Sequence, residues 1–526
     1  MEYLAIEDLS FKYPTSADNA LSHVNLKIKK GSFNLVVGLS GSGKSTLLKI
    51  LKPEIAPYGD KSGNIDFFGN KNVSFSDVGF VAQDPDDQII SDKVWHELSF
   101  GLESMGTKSS EIRRRVGETA SYFGIANWFY SDTDCLSGGQ KQLLNLAAVS
   151  VTDPKLLVLD EPTSMLDPIS AWNFIQTLFK LNRELGITIV MSEHRMEDIF
   201  PFCDNVIVLE NGKVVTCGNP KEVCEQIKGT PLFLSLPAAA RIWDLLKRPN
   251  VPCFLTVKEG KDFLAENFKD LNTTVKPKYD ENKNEVELEV KNLYFKYSKS
   301  GDEVLKDFSL KLNKGEIYSI LGQNGSGKTT ALLCMAGVKK PLYGKIKYFS
   351  SKNAKVALLP QNPKTIFIKD TVLEDFKSVS EDQSAIEDLS KKYEIQELLN
   401  KNPYDLSGGE IQKCALVKLL LTNPKIILLD EPTKGIDAFY KLKLNNNLKD
   451  LKKEGFTIVI VTHDIEFAAS TADRCGLLFN GKIISEDIPH EFFIKNRFYT
   501  TAAHRISREH IKNAILCEEV VDALGN

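Results

Sequence analysis

The 526-residue chain repeats itself. Phe11-Lys12-Tyr13 returns as Phe295-Lys296-Tyr297, and Gly38 to Thr46 (GLSGSGKST) returns as Gly322 to Thr330 (GQNGSGKTT) at the same spacing. Further on, LSGGQ at Leu136 to Gln140 matches LSGGE at Leu406 to Glu410, and LVLDEPT at Leu157 to Thr163 matches ILLDEPT at Ile427 to Thr433. A duplication on this scale fixes the architecture before any single element is considered: two copies of one module in tandem. The first copy covers about residues 1 to 235 and the second about 284 to 526, with 236 to 283 as a partly structured linker. That linker has a helix-like stretch at Ala238 to Lys247, a break at Pro249 and Pro252, and a polar run from Lys276 to Lys283.

Periodicity gives the fold class. Phe33 to Gly38 and Ile317 to Gly322 are short apolar runs that end in Gly-rich turns, each followed by a helical pattern starting at a Lys. Leu156 to Asp160, Ile187 to Met191, Ile426 to Asp430 and Ile458 to Val461 are further candidates for buried strands. Strands alternating with helices predict an α/β fold with a parallel core in each copy. Asn211-Gly212 and Asn480-Gly481, flanked by apolar residues, predict hairpin turns near the end of each module.

The Gly-rich turns carry the chemistry. GxxxxGK[ST] is a phosphate loop, in which glycines let consecutive backbone N–H groups converge on an anion and the following helix N-terminus adds a favourable dipole. The candidate phosphate-binding residues are Gly38, Ser40, Gly41, Ser42, Gly43, Lys44, Ser45 and Thr46, and in the second copy Gly322, Asn324, Gly325, Ser326, Gly327, Lys328, Thr329 and Thr330. Lys44 and Lys328 are placed to reach the β and γ phosphates, while the hydroxyls of Ser45 and Thr329 suit Mg²⁺. Asp160 and Asp430 end apolar strands, where an ionised carboxylate is costly without compensation, and Mg²⁺ is the natural compensation. The adjacent Glu161 and Glu431 would face the γ-phosphate and orient or deprotonate a water.

Together with LSGGQ and LSGGE, these residues resemble the ATP-binding cassettes of the ABC class, whose signature sequence is LSGGQ. The resemblance implies two tandem nucleotide-binding domains, each with a RecA-like core, an antiparallel β subdomain and an α-helical signature subdomain. It also implies a head-to-tail cassette pair with two ATPs between the modules. Carried over residue by residue, site one uses Tyr13, Lys44, Ser45, Gln83, Asp160, Glu161 and His194, completed by Ser407, Gly408 and Gly409. Site two uses Tyr297, Lys328, Thr329, Gln361, Asp430, Glu431 and His463, completed by Ser137, Gly138 and Gly139. The tyrosines match the aromatic that stacks on adenine, and the histidines match the switch residue that contacts the γ-phosphate. Gln83 and Gln361 match the loop that links Mg²⁺ and water to a membrane partner. Asp167 and Asp437 match the loop that crosses the interface. Leu143 and Lys413 stand where the family often has Arg, and Glu410 ends the second signature, so two competent but unequal sites are expected.

Finer features narrow the resemblance. Gln83 to Ile89 (QDPDDQI), Val94 to Glu103 and Ser192-Glu193-His194-Arg195 resemble the ATPases of energy-coupling factor (ECF) importers, as do Leu359 to Pro363 and Phe498 to Ala503. Such an ATPase works with a transmembrane coupling component and a membrane substrate-binding subunit, at the cytoplasmic face of the cell membrane. Related importers carry vitamins, their precursors or transition-metal ions. The segment from Gln to signature Ser is longer in the first copy, so two grooves for two different coupling helices are expected, although ordinary loop drift gives the same difference.

Composition limits the competitors. A net charge of -4, from 66 Lys and Arg against 70 Asp and Glu, supplies no overall positive field for nucleic acid. A ribosome-associated ABC-F factor would need a long charged helical linker, and a fused sugar-importer ATPase usually departs from LSGG in one half. Nine Cys with no CxxC pair argue against a disulfide framework or a zinc site and for a reducing compartment. Glu2, Glu7 and Asp8 are poor signal-peptide residues, and the apolar runs fall short of the ~20 residues that span a bilayer. A peripheral location is therefore expected.

Overall fold

The structure is a computed structural model and describes the chain apart from residues 1, 15, 17, 68–73, 248–250, 269–272, 276–284, 300, 350–354 and 526. The expected break at Pro249 and the polar run from Lys276 to Lys283 lie outside the described residues. The chain divides into two compact units, Met1–Pro237 and Ala238–Asn526.

Each unit is built on a six-stranded sheet whose strands are parallel except the last. In the first unit the order is Val78–Val81, Leu156–Asp160, Thr188–Ser192, Phe33–Val37, Asn205–Glu210, Lys213–Gly218. In the second it is Val356–Leu359, Ile426–Asp430, Thr457–Thr462, Ile317–Leu321, Arg474–Phe479, Lys482–Asp487. The central strands are buried on both faces, which explains their unbroken runs of Val, Ile and Leu. The two antiparallel edges are hairpins closed by Asn211-Gly212 and Asn480-Gly481. Both residues of each pair have positive φ, the backbone that a two-residue hairpin of this hand requires.

Two smaller layers flank each sheet. A three-stranded antiparallel sheet has Glu2–Lys12 between Leu21–Lys29 and Asp60–Phe67 in the first unit. In the second, Val286–Phe295 lies between Leu305–Asn313 and Tyr343–Tyr348. The helical layer comprises Val94–Ser104, Ser109–Tyr122 and Gly138–Ser150, matched by Val372–Val379, Gln383–Lys392 and Gly408–Leu420. The longer Gln-to-signature segment of the first copy lies in its helices, which have 11 and 14 residues against 8 and 10 in the second.

The second unit also takes in the segment between the repeats. Helices Ala238–Leu245 and Val257–Asn267 pack against Ala502–Ser507 and Cys517–Ala523, and Thr273–Thr274 pairs in parallel with Ile511–Lys512.

Candidate functional site

Each phosphate loop joins a central strand to a helix, Lys44–Ile50 or Lys328–Met335. The residue before each helix, Gly43 or Gly327, has φ near 100° and presses against a neighbouring carbonyl. A Cβ there would lie 2.6 Å from the Ala20 oxygen, or 2.9 Å from that of Val304, so only glycine fits. The Lys44 ammonium donates to the Gly38 and Leu39 carbonyls at 2.9 and 3.1 Å, and Lys328 donates to those of Gly322 and Gln323 at 2.8 and 3.0 Å. Both ammonium groups are thereby held over their own loop. Tyr13 and Tyr297 sit edge-on against Phe11 and Phe295, and their hydroxyls meet those of Thr46 and Thr330 at 3.0 and 3.1 Å. Their rings stand beside the first turn of the phosphate-loop helix.

The acidic pair lies at the end of the strand two places away in the sheet, beyond Thr188–Ser192 or Thr457–Thr462. In the first unit the Ser45 hydroxyl donates to Asp160 Oδ1 at 3.1 Å and the Ser192 hydroxyl to the same oxygen at 2.8 Å. Burial pushes the Asp160 carboxyl up, and these two hydroxyls oppose the rise. Glu161 is gripped at both oxygens, with His194 Nε2 at 2.8 Å from Oε1 and the Gln83 amide donating to Oε2 at 3.1 Å. In the second unit His463 Nδ1 lies 2.8 Å from Glu431 Oε2, and the Lys328 ammonium lies 3.7 Å from Oε1. Burial alone would raise the Glu431 carboxyl, but His463 and Lys328 outweigh it and hold it below its usual range. Gln361 is exposed, and among the described residues its side chain makes no hydrogen bond to Glu431. Gln83 and His194 thus meet on Glu161, and Lys328 and His463 on Glu431.

A feature invisible to motif reading is the backbone of the two glutamates. Glu161 and Glu431 have φ of 44° and 49°, in the left-handed region that costs a non-glycine residue energy. Hydrogen bonds hold them there. The Glu161 N–H donates to the Ser192 carbonyl and hydroxyl, and the Glu431 N–H to the Val461 carbonyl at 2.8 Å. In the first cassette, the polar Ser192 at the end of the adjoining strand is the one sequence signal for this contact. Glu193 is a further residue of the site that the motifs do not assign: it is buried and accepts from the Thr163 hydroxyl at 2.8 Å.

Each signature Ser opens a 13-residue helix with a reciprocal cap, Ser137 with Gln140 and Ser407 with Glu410. Gly138 and Gly139, like Gly408 and Gly409, occupy the first turn, whose N–H groups lack helical partners; Gly138 and Gly408 are exposed, Gly139 is half-buried and Gly409 is buried. Glu410 adds a carboxylate at the second N-terminus.

The residues fit Mg²⁺. Hydroxyl, carboxylate and amide oxygens are the hard donors this ion takes, and few are needed because it retains water and binds phosphate. Asp430 is 3% exposed, and its Oδ1 has no hydrogen-bond partner among the described residues. Burial pushes its carboxyl up to about 6, against the lowering influence of the Thr329 hydroxyl. A folded-state value above the ordinary one means that the second unit is most stable with Asp430 protonated. That advantage is lost as pH climbs from the ordinary carboxylate range through about 6. Without metal, Asp430→Asn is therefore expected to stabilise the protein at pH 8 by about 1–3 kcal/mol, since each tenfold change in acidity corresponds to ~1.4 kcal/mol. The gain should fall by more than half near pH 4.5. Thermal unfolding in EDTA at both pH values checks this, and equal effects at both would contradict it.

Comparison with known proteins follows the same lines. The ABC transporter family model matches residues 21–164 and 305–434, one stretch in each unit. A Bacillus thuringiensis subsp. konkukian protein named as an ABC transporter ATP-binding protein is 39% identical over 99% of this chain and 98% of its own length. A similarly named Methanosarcina acetivorans protein is 33% identical over 94% of this chain and 85% of its own. Among solved structures, the archaeal ribosome recycling factor aABCE1, in complex with stalk protein aP1, aligns at a TM-score of 0.59 and 23% identity. That match covers 92% of this chain and 90% of the other, and shows a shared two-cassette fold. The chain belongs to the ABC transporter family of ATP-binding proteins and carries two of its cassettes.

Proposed function

We propose that this protein is the ATP-hydrolysing, energising subunit of an ECF-type importer, acting on the cytoplasmic face of a membrane through separate membrane subunits. The cargo would be a vitamin, a vitamin precursor or a transition-metal ion, held by those subunits and not by this chain. Among the described residues no helix is long and apolar enough to cross a membrane, so transport would require partners.

At each site the phosphate loop binds the ATP phosphates, with Lys44 or Lys328 turning from its loop carbonyls to the β and γ oxygens. Mg²⁺, held by Ser45, Asp160 and Gln83 or by Thr329, Asp430 and Gln361, would supply charge neutralisation at the phosphates. Glu161, oriented by His194 and Gln83, positions a water for attack on the γ-phosphorus and takes its proton; Glu431 does so beside His463. The bond from γ-phosphorus to the bridging oxygen breaks, leaving ADP and phosphate. The proposal assigns Ser137 to Gly139 and Ser407 to Gly409 to the γ-phosphate held by the sibling cassette, so that hydrolysis removes the bridge between the two.

One observation carries the transport reading. Ile90 and Ile368 stand at the same distance past Gln83 and Gln361, and both are bare to solvent at 70% and 76% exposure. An apolar residue exposed at one matched position in both cassettes, a few residues past Gln83 or Gln361, suits a partner surface. Ile90→Asp with Ile368→Asp is expected to abolish co-purification with membrane proteins from solubilised membranes while leaving basal ATP hydrolysis intact. Retained membrane partners, or recovery with ribosomes instead, would overturn the reading.

A further inference from the structure

The two catalytic strands end differently. Asp160 pairs across the sheet with Ser192, and Asp430 pairs with Val461, so these two residues are structural counterparts. The Ser192 hydroxyl bridges the acidic pair, donating to Asp160 Oδ1 at 2.8 Å while accepting the Glu161 N–H at 3.0 Å. Val461 has no hydroxyl, and Asp430 Oδ1 is left buried without a hydrogen-bond partner among the described residues. The next position differs in the same sense. Glu193 takes the Thr163 hydroxyl at 2.8 Å, whereas its counterpart Thr462 meets Thr433 at 3.4 Å. The first cassette therefore ties its acidic turn to the end of the adjoining strand through the Ser192 and Glu193 side chains, and the second does so through the Val461 carbonyl, that longer hydroxyl contact and His463 against Glu431.

We propose that Ser192 is a positioning residue that sets the metal dependence of site one apart from that of site two, where Val461 leaves Asp430 to be completed by Mg²⁺. The inference rests on both sites binding Mg²⁺ with nucleotide. A buried carboxylate oxygen with no donor raises the energy of the metal-free state, and a cation that reaches it relieves that cost. An oxygen already satisfied by a hydroxyl has less to gain. Nucleotide binding at site two should therefore depend more steeply on Mg²⁺ than at site one. Site one would keep a formed acidic turn when the metal leaves with product, and site two would lose its order.

The test uses the full-length chain with one site disabled at a time. Lys44→Ala leaves site two, Lys328→Ala leaves site one, and fluorescent mant-ADP binding is titrated in MgCl₂ and in EDTA. The ratio of the two affinities is expected to be about fivefold larger at site two, the worth of one hydrogen bond. Val461→Thr, which adds a hydroxyl at nearly constant shape, should lower the site-two ratio toward that of site one. Ser192→Val should raise the site-one ratio, and Ser192→Thr should restore it. Thermal unfolding of each variant identifies any that fails to fold, and Val461→Thr alone still decides the matter. Equal ratios at the two sites, or a site-two ratio unmoved by Val461→Thr, would overturn the proposal. Absence of mant-ADP binding in both backgrounds would instead overturn the ATPase assignment on which it rests.

Discussion

Replacing both Glu161 and Glu431 with Gln is expected to lower ATP turnover by about 10²–10⁴-fold, the usual contribution of a positioned general base. Nucleotide binding should stay within a few-fold of the parent. The separation follows from geometry. The backbone of each glutamate bonds to the adjoining strand and not to the phosphate loop, and a Gln amide fills the same volume and can still accept from the histidine. What is lost is the capacity to take a proton from water. Each single variant should retain part of the activity. Glu161→Gln is expected to cost more, because Glu161 is held at both oxygens by His194 and Gln83, whereas Glu431 lacks the glutamine contact. Phosphate release under saturating ATP, with mant-nucleotide binding in parallel, measures both quantities. Turnover of the double variant within twofold of the parent would remove these residues from the chemistry. Unchanged turnover in either single variant would argue against two working sites.

The sheets and loops are legible in the sequence for a physical reason. A strand buried on both faces must be apolar throughout, so Leu156 to Asp160 and Ile426 to Asp430 stand out without any knowledge of their neighbours. The phosphate loops and the Asn-Gly turns are equally readable, because positive φ restricts the residue choice locally. Strand ends differ by a residue where burial does not fix the boundary, as at Thr188–Ser192. The left-handed glutamates are not legible, since their backbone is held by strands that lie far off in sequence. The contrast between Gln83 and Gln361 is hidden too, as both sit in the same motif position. Burial by distant elements also escapes local patterns. Ala238 to Leu245 shows its helical period, but nothing in that stretch identifies the partner that covers Ile242 and Trp243.

That partner is the stretch after residue 501, and removing residues 502–526 is expected to unfold this part of the second unit. The deleted segment buries Ile506, Ile511, Ile515 and Val520 completely or nearly so, and it packs against helices Ala238–Leu245 and Val257–Asn267. Each such side chain is worth about 1.5–3 kcal/mol on burial, while a whole domain is stable by only about 5–15 kcal/mol. Contact is close enough that a Cβ on Gly260 would lie 3.1 Å from Ile506 Cγ2, so helix Val257–Asn267 and this side chain meet without a gap. Polar groups would be stranded as well. Half-buried Glu466 loses the Ala502 N–H that it accepts at 2.8 Å, and His490 loses its 2.7 Å contact with Glu519. A milder variant, Ile506→Asp, sets a carboxylate in the same apolar site and should act in the same direction. Trp243, buried and donating to the Val251 carbonyl at 2.9 Å, is the reporter, since the other tryptophans, Trp95, Trp128 and Trp172, all lie in the first unit and can be changed to Phe. In that background both variants should shift Trp243 emission to the red and expose the segment from 238 to 267 to protease, while residues 1–237 stay resistant. Unchanged emission and protection in the deletion would mean that the two inter-repeat helices hold together without the C-terminus, and that their burial against it contributes little.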